Sequence, residues 1–235
     1  MRKGDETRQL IVQTAERLFC AKGFDATSVQ DILDAIHGSK GGFYHHFESK
    51  EDLLCEICRR RAAASAERAE RRLAGTGPDP LSRLNLLLRS LIPFSDDDLP
   101  LIAMLLPILD RPGSTSVRVG FQEALADAYG PMLEQCIADG REKEVLFPVD
   151  AGIARPVLIL LNDFWCGACR LLARAARSGQ TPEPIGRLSA LITVRRSLEA
   201  LLEAPYGSIE VLSLEEFNAF AGKVIREINP SETDA

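Results

Sequence analysis

The sequence predicts an all-α protein. In one segment after another, apolar residues recur at positions i, i+3, i+4 and i+7, which is the spacing of a helix that buries one face. Capping residues and glycine or proline stops separate these segments. No alternating run around an Asn-Gly or Asp-Gly pair indicates a β-hairpin. At 235 residues with 46% hydrophobic content, the chain can bury a core in one or two domains.

Two helices are predicted at the N-terminus. The first spans residues 5–22 and is stopped by Gly23. Its apolar stripe consists of Leu10, Ile11, Ala15, Leu18 and Phe19. The second helix begins at Thr27, whose side chain is expected to form a capping box with Gln30, and it runs to about Ile36.

A tight turn and two further helices follow. Gly38 supplies the turn, and Ser39 is expected to cap a third helix that runs to about His46. Ser49 opens a long fourth helix that continues to Leu73. The order of a short helix, a glycine turn and another short helix is typical of a helix-turn-helix motif.

The stretch GTGPDP, residues 75–80, is the best linker in the sequence, and helices continue beyond it. These helices are expected near residues 80–92, 99–110, 115–140, 150–178, 184–203 and 213–228. The last one is opened by a capping box of Ser213 and Glu216. We therefore divide the chain into a head of residues 1–52, a helical body of residues 53–205, and an additional C-terminal helix and tail of residues 206–235.

The net charge of −6 is unevenly spread. Residues 1–72 carry thirteen Lys and Arg against twelve Asp and Glu, whereas the remainder carries fifteen against twenty-two. This distribution argues against nucleic-acid binding by the whole surface, and it fits a protein whose N-terminal end alone meets a polyanion. Because no apolar run approaches the roughly 18 residues of a membrane span, and no signal-peptide core is present, we expect a cytoplasmic protein without a membrane partner.

The stretch HGSKGGFYHHF, residues 37–47, holds all three histidines together with three glycines and three aromatic rings. Its place in the chain makes it the turn and third helix of the helix-turn-helix, and this third helix is the one that enters the DNA major groove. Phe43 and Phe47, four residues apart, are expected to pin the helix to the first two. The residues left on the outer face are Lys40, Tyr44 and His45. A glycine-rich helix corner with core aromatics would explain only the two phenylalanines.

Residues 27–54, TSVQDILDAIHGSKGGFYHHFESKEDLL, closely resemble the DNA-binding domain of TetR-type transcriptional regulators. Residues 39–51 contain the Ser/Thr-Lys-Gly start of the recognition helix, its aromatic-Tyr-His-aromatic end, and the Ser-Lys-Glu that opens the fourth helix. The run AERLFCAKGFDATSV matches as well, so the motif covers about residues 5–55. The rest of the chain fits the family only in pattern.

The resemblance implies three kinds of DNA contact. Hydroxyl groups at helix starts would hold phosphates, the exposed face of the third helix would reach base edges or adjacent phosphates, and residues beyond it would clamp the backbone. The phosphate-holding residues are Ser39 and either Thr27 or Ser28. The reading residues are Lys40 and Tyr44, with Gly41 and Gly42 allowing close approach, and the clamp consists of His45 and Lys50.

Two positions in the turn depart from the family pattern. The family usually has glycine where this chain has His37, and an aliphatic or β-branched residue where it has Gly38. Histidine tolerates left-handed backbone geometry better than most residues. We therefore expect the turn to survive with shifted dihedral angles.

Residues 157–172, VLILLNDFWCGACRLL, support a competing hypothesis, because they are similar to the active-site segment of thioredoxins. In this alternative the chain is a thiol-disulfide oxidoreductase that uses the Cys166/Cys169 pair. However, no βαβ pattern surrounds the segment, and its apolar residues read as one helical stripe. This stripe consists of Leu158, Leu161, Trp165, Ala168 and Leu172. We therefore expect a protein that is not an enzyme and has no catalytic residue.

A second cysteine pair, Cys55 and Cys58, has the same i, i+3 spacing. Each pair could pack in a core, form a thiol switch or chelate zinc. Because free cysteine is an ordinary small core residue, we favour packing, and we predict neither a metal site nor a cofactor.

The resemblance implies two tasks for the body. Helices from about 55 to 140 and from 150 to 178 would enclose a cavity for an unknown small-molecule effector. Its candidate ligand-binding residues are Phe94, Met104, Phe121, Tyr129, Asn162, Asp163 and Trp165. Segments 150–178 and 184–203 would pair with a second copy of the chain. The apolar interface candidates are Leu188, Leu191, Ile192, Leu198, Leu201 and Leu202.

These features predict a homodimeric repressor that a small-molecule effector releases from a palindromic operator on double-stranded DNA. Two other hypotheses stay open on the sequence. One is the oxidoreductase, and the other is a ligand-binding helical protein that no longer binds DNA.

Overall fold

The computed structural model of the protein describes residues 3–91, 99–109, 115–148, 150, 152–178 and 184–228. All regular structure within these residues is α-helical, which confirms the all-α prediction. The ten helices in this part of the chain are α1 (Lys3–Lys22), α2 (Val29–Ile36), α3 (Lys40–His46), α4 (Lys50–Ala74), α5 (Pro80–Ser90), α6 (Leu99–Leu109), α7 (Thr115–Glu142), α8 (Ala154–Ser178), α9 (Pro184–Leu202) and α10 (Leu214–Ile228). Among the same residues, no helix combines the length and the apolar character needed to cross a membrane.

The core of the head lies between α1, α2, α3 and the first turns of α4. Phe43 is completely buried at its centre, and the rings of Phe43 and Phe47 lie 5.9 Å apart. Phe19 from α1 and Leu53 from α4 belong to the same apolar cluster. The prediction that the two phenylalanines pin α3 to the neighbouring helices is confirmed.

The cap of α2 differs from the prediction. Ser28, and not Thr27, is the N-cap, and its capping-box partner is Asp31 rather than Gln30. Thr27 is completely buried, and its hydroxyl lies 2.8 Å from the carbonyl oxygen of Gly23. The helix begins one residue later than predicted because this hydroxyl satisfies the end of α1 instead of capping α2. The caps predicted for α3, α4 and α10 are confirmed as Ser39, Ser49 and the Ser213–Glu216 box.

In the turn between α2 and α3, one residue takes the left-handed conformation and the next allows close packing. His37 takes the left-handed conformation, with φ 52° and ψ 39°. Gly38 is needed for close packing, because a Cβ atom there would lie 3.1 Å from side-chain carbons of both Leu33 and Ile36. The left-handed residue therefore stands where the family has glycine, and the turn is retained.

The body is a bundle in which α4 packs mainly against α7, and α7 packs in turn against α5 and α8. Helix α7 stays helical through Pro131, although proline cannot donate a hydrogen bond to the preceding turn. Helix α10 lies across α6 and α8. Its Phe220 ring lies 5.4 Å from the ring of Trp165 in α8.

Helices α4 and α6 join the head to the body. The boundary predicted at residue 52 falls inside α4, so both parts share this helix. Helix α6 packs against α1, and its Leu101, Met104 and Leu105 belong to the apolar cluster of the head. The head is therefore not an independent unit, and a movement in the body can reach it through buried side chains.

Candidate DNA interface and effector cavity

One face of α3 is exposed to solvent. Because Phe43 and Phe47 anchor the opposite face, the side chains of this face point outward, and Tyr44 is 59% exposed. The other exposed residues of this face are Ser39, Lys40, Gly41 and His45. A tyrosine, a lysine and a histidine on one surface can donate hydrogen bonds to phosphates or base edges. The structure thus brings together most of the predicted DNA-binding residues.

The two glycines of α3 differ in what surrounds them. A Cβ atom at Gly42 would lie 3.3 Å from the Ser39 hydroxyl oxygen, which accepts a 3.1 Å hydrogen bond from the Gly42 amide. The contact with Ser39 therefore explains why position 42 is a glycine. A Cβ atom at Gly41 would meet nothing within 4 Å. A glycine at position 41 lowers the stability of the helix, and no contact within the protein requires it. This is expected where the backbone of a bound molecule comes close to the helix.

Of the two hydroxyl groups predicted to hold a phosphate at the start of α2, only that of Ser28 is exposed. Thr27 is buried and cannot reach a phosphate. Hydrogen bonds from the side chain and amide of Ser28 lower the pKa of the Asp31 carboxyl, which keeps it ionised beside Ser28. Lys22 lies 3.6 Å from the same carboxylate and offsets part of its charge. The sequence pattern did not reveal this competing charge.

The structure gives Lys50 an internal contact that the sequence did not predict. Its ammonium donates hydrogen bonds to the carbonyl oxygens of Phe24 (2.7 Å) and Thr27 (2.9 Å). The same ammonium lies 4.3 Å from the centre of the Phe24 ring. Lys50 therefore fixes the loop between α1 and α2, and Lys40 is the head lysine that remains on the exposed α3 face.

Sequence reasoning missed a charged cluster below α3. Glu56 of α4 is 2% exposed, and Arg8 of α1 donates a 2.6 Å hydrogen bond to it while also lying over the Phe47 ring. Arg59 and Arg60 pair with the same carboxylate. Burial raises the pKa of Glu56, but the hydrogen bonds from Arg8 and Arg60 and the charge of Arg59 outweigh it, so the pKa is lowered. A signal was present, since a glutamate between buried Leu54 and Ile57 needs a partner.

A cavity lies in the body between α4, α6, α7, α8 and the end of α5. Its volume is about 50 Å³. Its lining is almost entirely apolar and consists of Cys58, Arg61, Ala62, Ser65, Ser90, Leu91, Leu101, Ile102, Leu105, Val117, Phe121, Leu125, Tyr129, Trp165 and Cys166. An apolar cavity with a few polar groups is typical of a small-molecule site.

Polar groups stand at the α4 wall of this cavity. The Tyr129 hydroxyl lies 2.8 Å from both the Ser65 hydroxyl and the Ser90 carbonyl oxygen. Because a carbonyl only accepts, Tyr129 donates to Ser90, and Ser65 is able to donate to Tyr129. One turn before Ser65, Arg61 donates from Nε to the carboxylate of Glu16 in α1, at 2.5 Å.

The predicted ligand-binding residues are divided by the structure. Phe121, Tyr129 and Trp165 line the cavity. Met104 lies instead in a groove between α6 and the loop after α1. Asn162 is buried with its side-chain oxygen 3.9 Å from the Cys166 sulfur, and Asp163 is exposed. Phe94 lies outside the described residues. The sequence did not predict Arg61 and Ser65 as cavity residues. Both lie in an Arg- and Ala-rich stretch of α4 whose composition is typical of a solvent-exposed helix.

The cysteines are packed in helices. Cys166 lies in the middle of α8, without a preceding strand and away from the helix N-terminus that would favour a thiolate. Burial raises the pKa of Cys166, and it raises that of Cys58 to about 12. The side chain of Cys169 is outside the described residues. Within the described part of the chain, no cluster of three or more metal-binding side chains occurs. The oxidoreductase alternative therefore finds no support.

The apolar interface candidates on α9 are divided between core and surface. Leu198 and Leu202 are completely buried within the chain, and Leu191 is 8% exposed. The prediction that Leu191, Leu198 and Leu202 face a second copy is therefore wrong, because all three pack in the body. Leu188 and Ile192, each 44% exposed, remain on the surface. Helical periodicity found the apolar residues, but could not show which of them the neighbouring α8 covers.

The head of the chain is similar to known regulatory proteins. The model of the family of bacterial regulatory proteins named tetR matches residues 11–57, which extend from α1 into α4. The uncharacterized HTH-type transcriptional regulator YerO of Bacillus subtilis is 31% identical over 151 residues, which are 57% of this chain and 51% of YerO. The HTH-type transcriptional regulator AcrR of Shigella flexneri is 36% identical over 86 residues, which are 37% of this chain and 40% of AcrR. The chain thus spans about half or less of the length of these curated relatives.

Comparison with solved structures extends the likeness to the body. The crystal structure of RolR in complex with its ligand resorcinol has a TM-score of 0.58 to this chain, with 16% identity, and the match covers 94% of this chain and 95% of RolR. At this identity the likeness concerns the fold, an N-terminal helix-turn-helix followed by a helical domain. Residues 11–57 are thus similar to the family of bacterial regulatory proteins named tetR, and the remainder of the chain shares the fold of RolR.

Proposed function

We propose that this protein is a homodimeric transcriptional repressor that a small-molecule effector releases from a palindromic operator. The observation that carries the proposal is the course of α4. This helix begins in the core of the head beside α3, and farther along, its Cys58, Arg61 and Ser65 line the cavity. A ligand that favours a different position of α4 would therefore also favour a different position of the head.

The DNA contacts are assigned to the exposed face of α3. Lys40 and Tyr44 reach base edges or the nearest phosphates, and Gly41 lets the DNA backbone approach. Ser39 and His45 contact phosphates on either side, Gly42 allows the DNA to approach, and Ser28 adds a contact from α2. Thr27 and Lys50 are assigned to shaping the head, because both are occupied by carbonyl oxygens of the protein.

The second copy is assigned to the exposed apolar residues of α8 and α9. These are Ile159, Leu171, Leu188 and Ile192, which are between 36% and 47% exposed. A twofold pairing places identical patches against each other and presents two α3 helices to one side of a duplex. Each helix touches only a few bases, so the fixed distance between the two helices supplies the remaining specificity.

A selection from random-sequence duplex DNA tests this proposal, because it requires no assumption about the operator sequence. The wild-type protein should enrich an inverted repeat, and Lys40→Ala with Tyr44→Phe should enrich nothing while retaining the helical circular dichroism spectrum. Enrichment of an asymmetric sequence would contradict the proposed dimer. If the wild type enriches no sequence, the chain is instead a ligand-binding protein that does not bind DNA specifically.

A further inference from the structure

The cavity contains one charged lining residue, Arg61, among the residues that the structure describes. Its side chain is 36% exposed, and that of its partner Glu16 is 23% exposed. The two belong to different parts of the molecule, because Arg61 lines the cavity from α4, whereas Glu16 lies on α1 in the head. One guanidinium is thus shared between the cavity and the head.

The cavity is surrounded by neutral thiols and by a few charged side chains. Burial is the main cause that raises the pKa of the Cys20 and Cys58 thiols. The charge of Glu16 raises both pKa values further, so both thiols are neutral at pH 7. On the far side, burial raises the pKa of Cys166 most, the charges of Arg170 and of Arg118 in α7 lower it, and the charge of Asp163 raises it. Nε of Arg118 is buried and has no hydrogen-bond partner among the described residues. Glu16, already paired with Arg61, carries the negative charge on the α4 side.

We infer that the effector is a small carboxylic acid with an apolar body, whose carboxylate replaces Glu16 at Arg61. This inference rests on the proposed function of the cavity as the effector site. The apolar lining accepts the body of the ligand, and the ligand carboxylate accepts charge-assisted hydrogen bonds from Arg61.

The exchange of partners also supplies a mechanism for release. Glu16 is partly exposed, so water can solvate its carboxylate once Arg61 turns to the ligand. No charge is left buried and unpaired, which would otherwise oppose ligand binding. Loss of the Arg61–Glu16 pair removes an ion pair between α1 and α4, while the Arg8–Glu56 pair is retained. The head then gains freedom relative to α4.

Trp165 provides the measurement, because it is the one tryptophan of the sequence and it lines the cavity. Its fluorescence is titrated with straight-chain carboxylates from butyrate to decanoate and with benzoate and phenylacetate, each paired with the primary alcohol of the same carbon skeleton. In the best-fitting pair, the carboxylate should bind the wild type at least 10-fold more tightly than the alcohol. The same carboxylate, and not its alcohol, should weaken binding to the selected DNA.

Three variants test whether Arg61 and Glu16 cause the preference for the carboxylate. Arg61→Met should bind the carboxylate and the alcohol equally, and Arg61→Lys should keep part of the preference. Glu16→Gln should bind the carboxylate more tightly than the wild type does, because the competing carboxylate is removed, and should bind the alcohol as the wild type does. Circular dichroism checks that each variant is folded.

The results distinguish the chemical class of the ligand from the role of the cavity as the effector site. If both members of a pair bind with equal affinity, or if Arg61→Met retains the preference, the ligand class is wrong while the cavity remains the effector site. If no member of any pair changes the fluorescence of Trp165 or the affinity for DNA, the cavity is not an effector site, and the proposed regulation fails with it.

Discussion

At the scale of single residues, His37 shows how one side chain is tolerated in a glycine position. Its φ of 52° lies in the left-handed region, where a Cβ atom costs about 1 kcal/mol. We predict that His37→Gly is more stable than His37→Ala by about 1 kcal/mol, because the two variants lack the same imidazole and differ only in Cβ. Urea unfolding of both variants measures this difference. Equal stabilities would show that the turn is not strained.

Two lysines of the head form a matched pair with opposite predicted effects. Lys40→Ala should weaken binding to the selected DNA by about 1–3 kcal/mol and leave the midpoint of thermal unfolding unchanged, because its side chain is exposed. Lys50→Ala should lower the free energy of unfolding by about 1–3 kcal/mol, because two carbonyl oxygens lose their donor. Fluorescence anisotropy and thermal unfolding separate the two. The assignment fails if Lys40→Ala binds DNA as the wild type does.

Glu56 gives the head a pH dependence of known sign. Its pKa in the folded protein lies below the ordinary value of 4.5, so its contribution to stability is fully present above that value and is lost as the pH falls through the lower folded pKa. Glu56→Gln should therefore be less stable than the wild type at pH 7, and the difference should shrink below about pH 4.5. Urea unfolding at a series of pH values measures it. A difference that stays constant down to about pH 3 would show that the charge of Glu56 does not stabilise the fold.

At the scale of helices, the contact between α4 and α7 depends on a glycine. A Cβ atom at Gly120 would lie 3.0 Å from the Cys55 sulfur, whereas a Cβ atom at Gly167 in α8 would meet only the end of the Arg170 side chain, at 4.0 Å. Gly120→Ala should therefore destabilise the protein, although alanine favours helices, and Gly167→Ala should stabilise it by up to about 1 kcal/mol.

A double-mutant cycle tests the same contact. Adding Cys55→Ala to Gly120→Ala should restore stability, with an interaction free energy above about 0.5 kcal/mol. Chemical unfolding of the two single variants and the double variant gives this value. Additive effects of the two substitutions would show that the helices do not touch at this point.

Sequence periodicity predicted every described helix, because each apolar stripe and cap is a local pattern. It did not predict partners that are distant in the chain. The capping role of Thr27 was wrong because the carbonyl oxygens at the end of α1 attract its hydroxyl, and the pairing of Arg61 with Glu16 joins residues 45 positions apart. The face of α3 was predictable, since two buried phenylalanines fix its rotation. The cavity was predictable only in part, because its walls come from five helices.

At the scale of the whole molecule, the proposed dimer explains how seven residues of α3 can select an operator. The exposed residues Leu188 and Ile192 stand on the α9 surface, and two copies that cover them would hold their α3 helices at a fixed distance. Charges introduced there, as in Leu188→Glu with Ile192→Glu, should separate the copies without altering a DNA contact. This variant is therefore the control for any measurement of paired DNA binding.

Hydroxyl-radical footprinting of the wild type on its selected duplex measures this pairing directly. Two recognition helices in successive major grooves should protect two patches on one face of the DNA, with centres about 10 base pairs or a multiple of this distance apart. The Leu188→Glu, Ile192→Glu variant should lose this paired protection at the same protein concentration, and Lys40→Ala should weaken both patches equally. A single protected patch for the wild type, or two patches that persist unchanged in both variants, would contradict a dimer that reads DNA through α3.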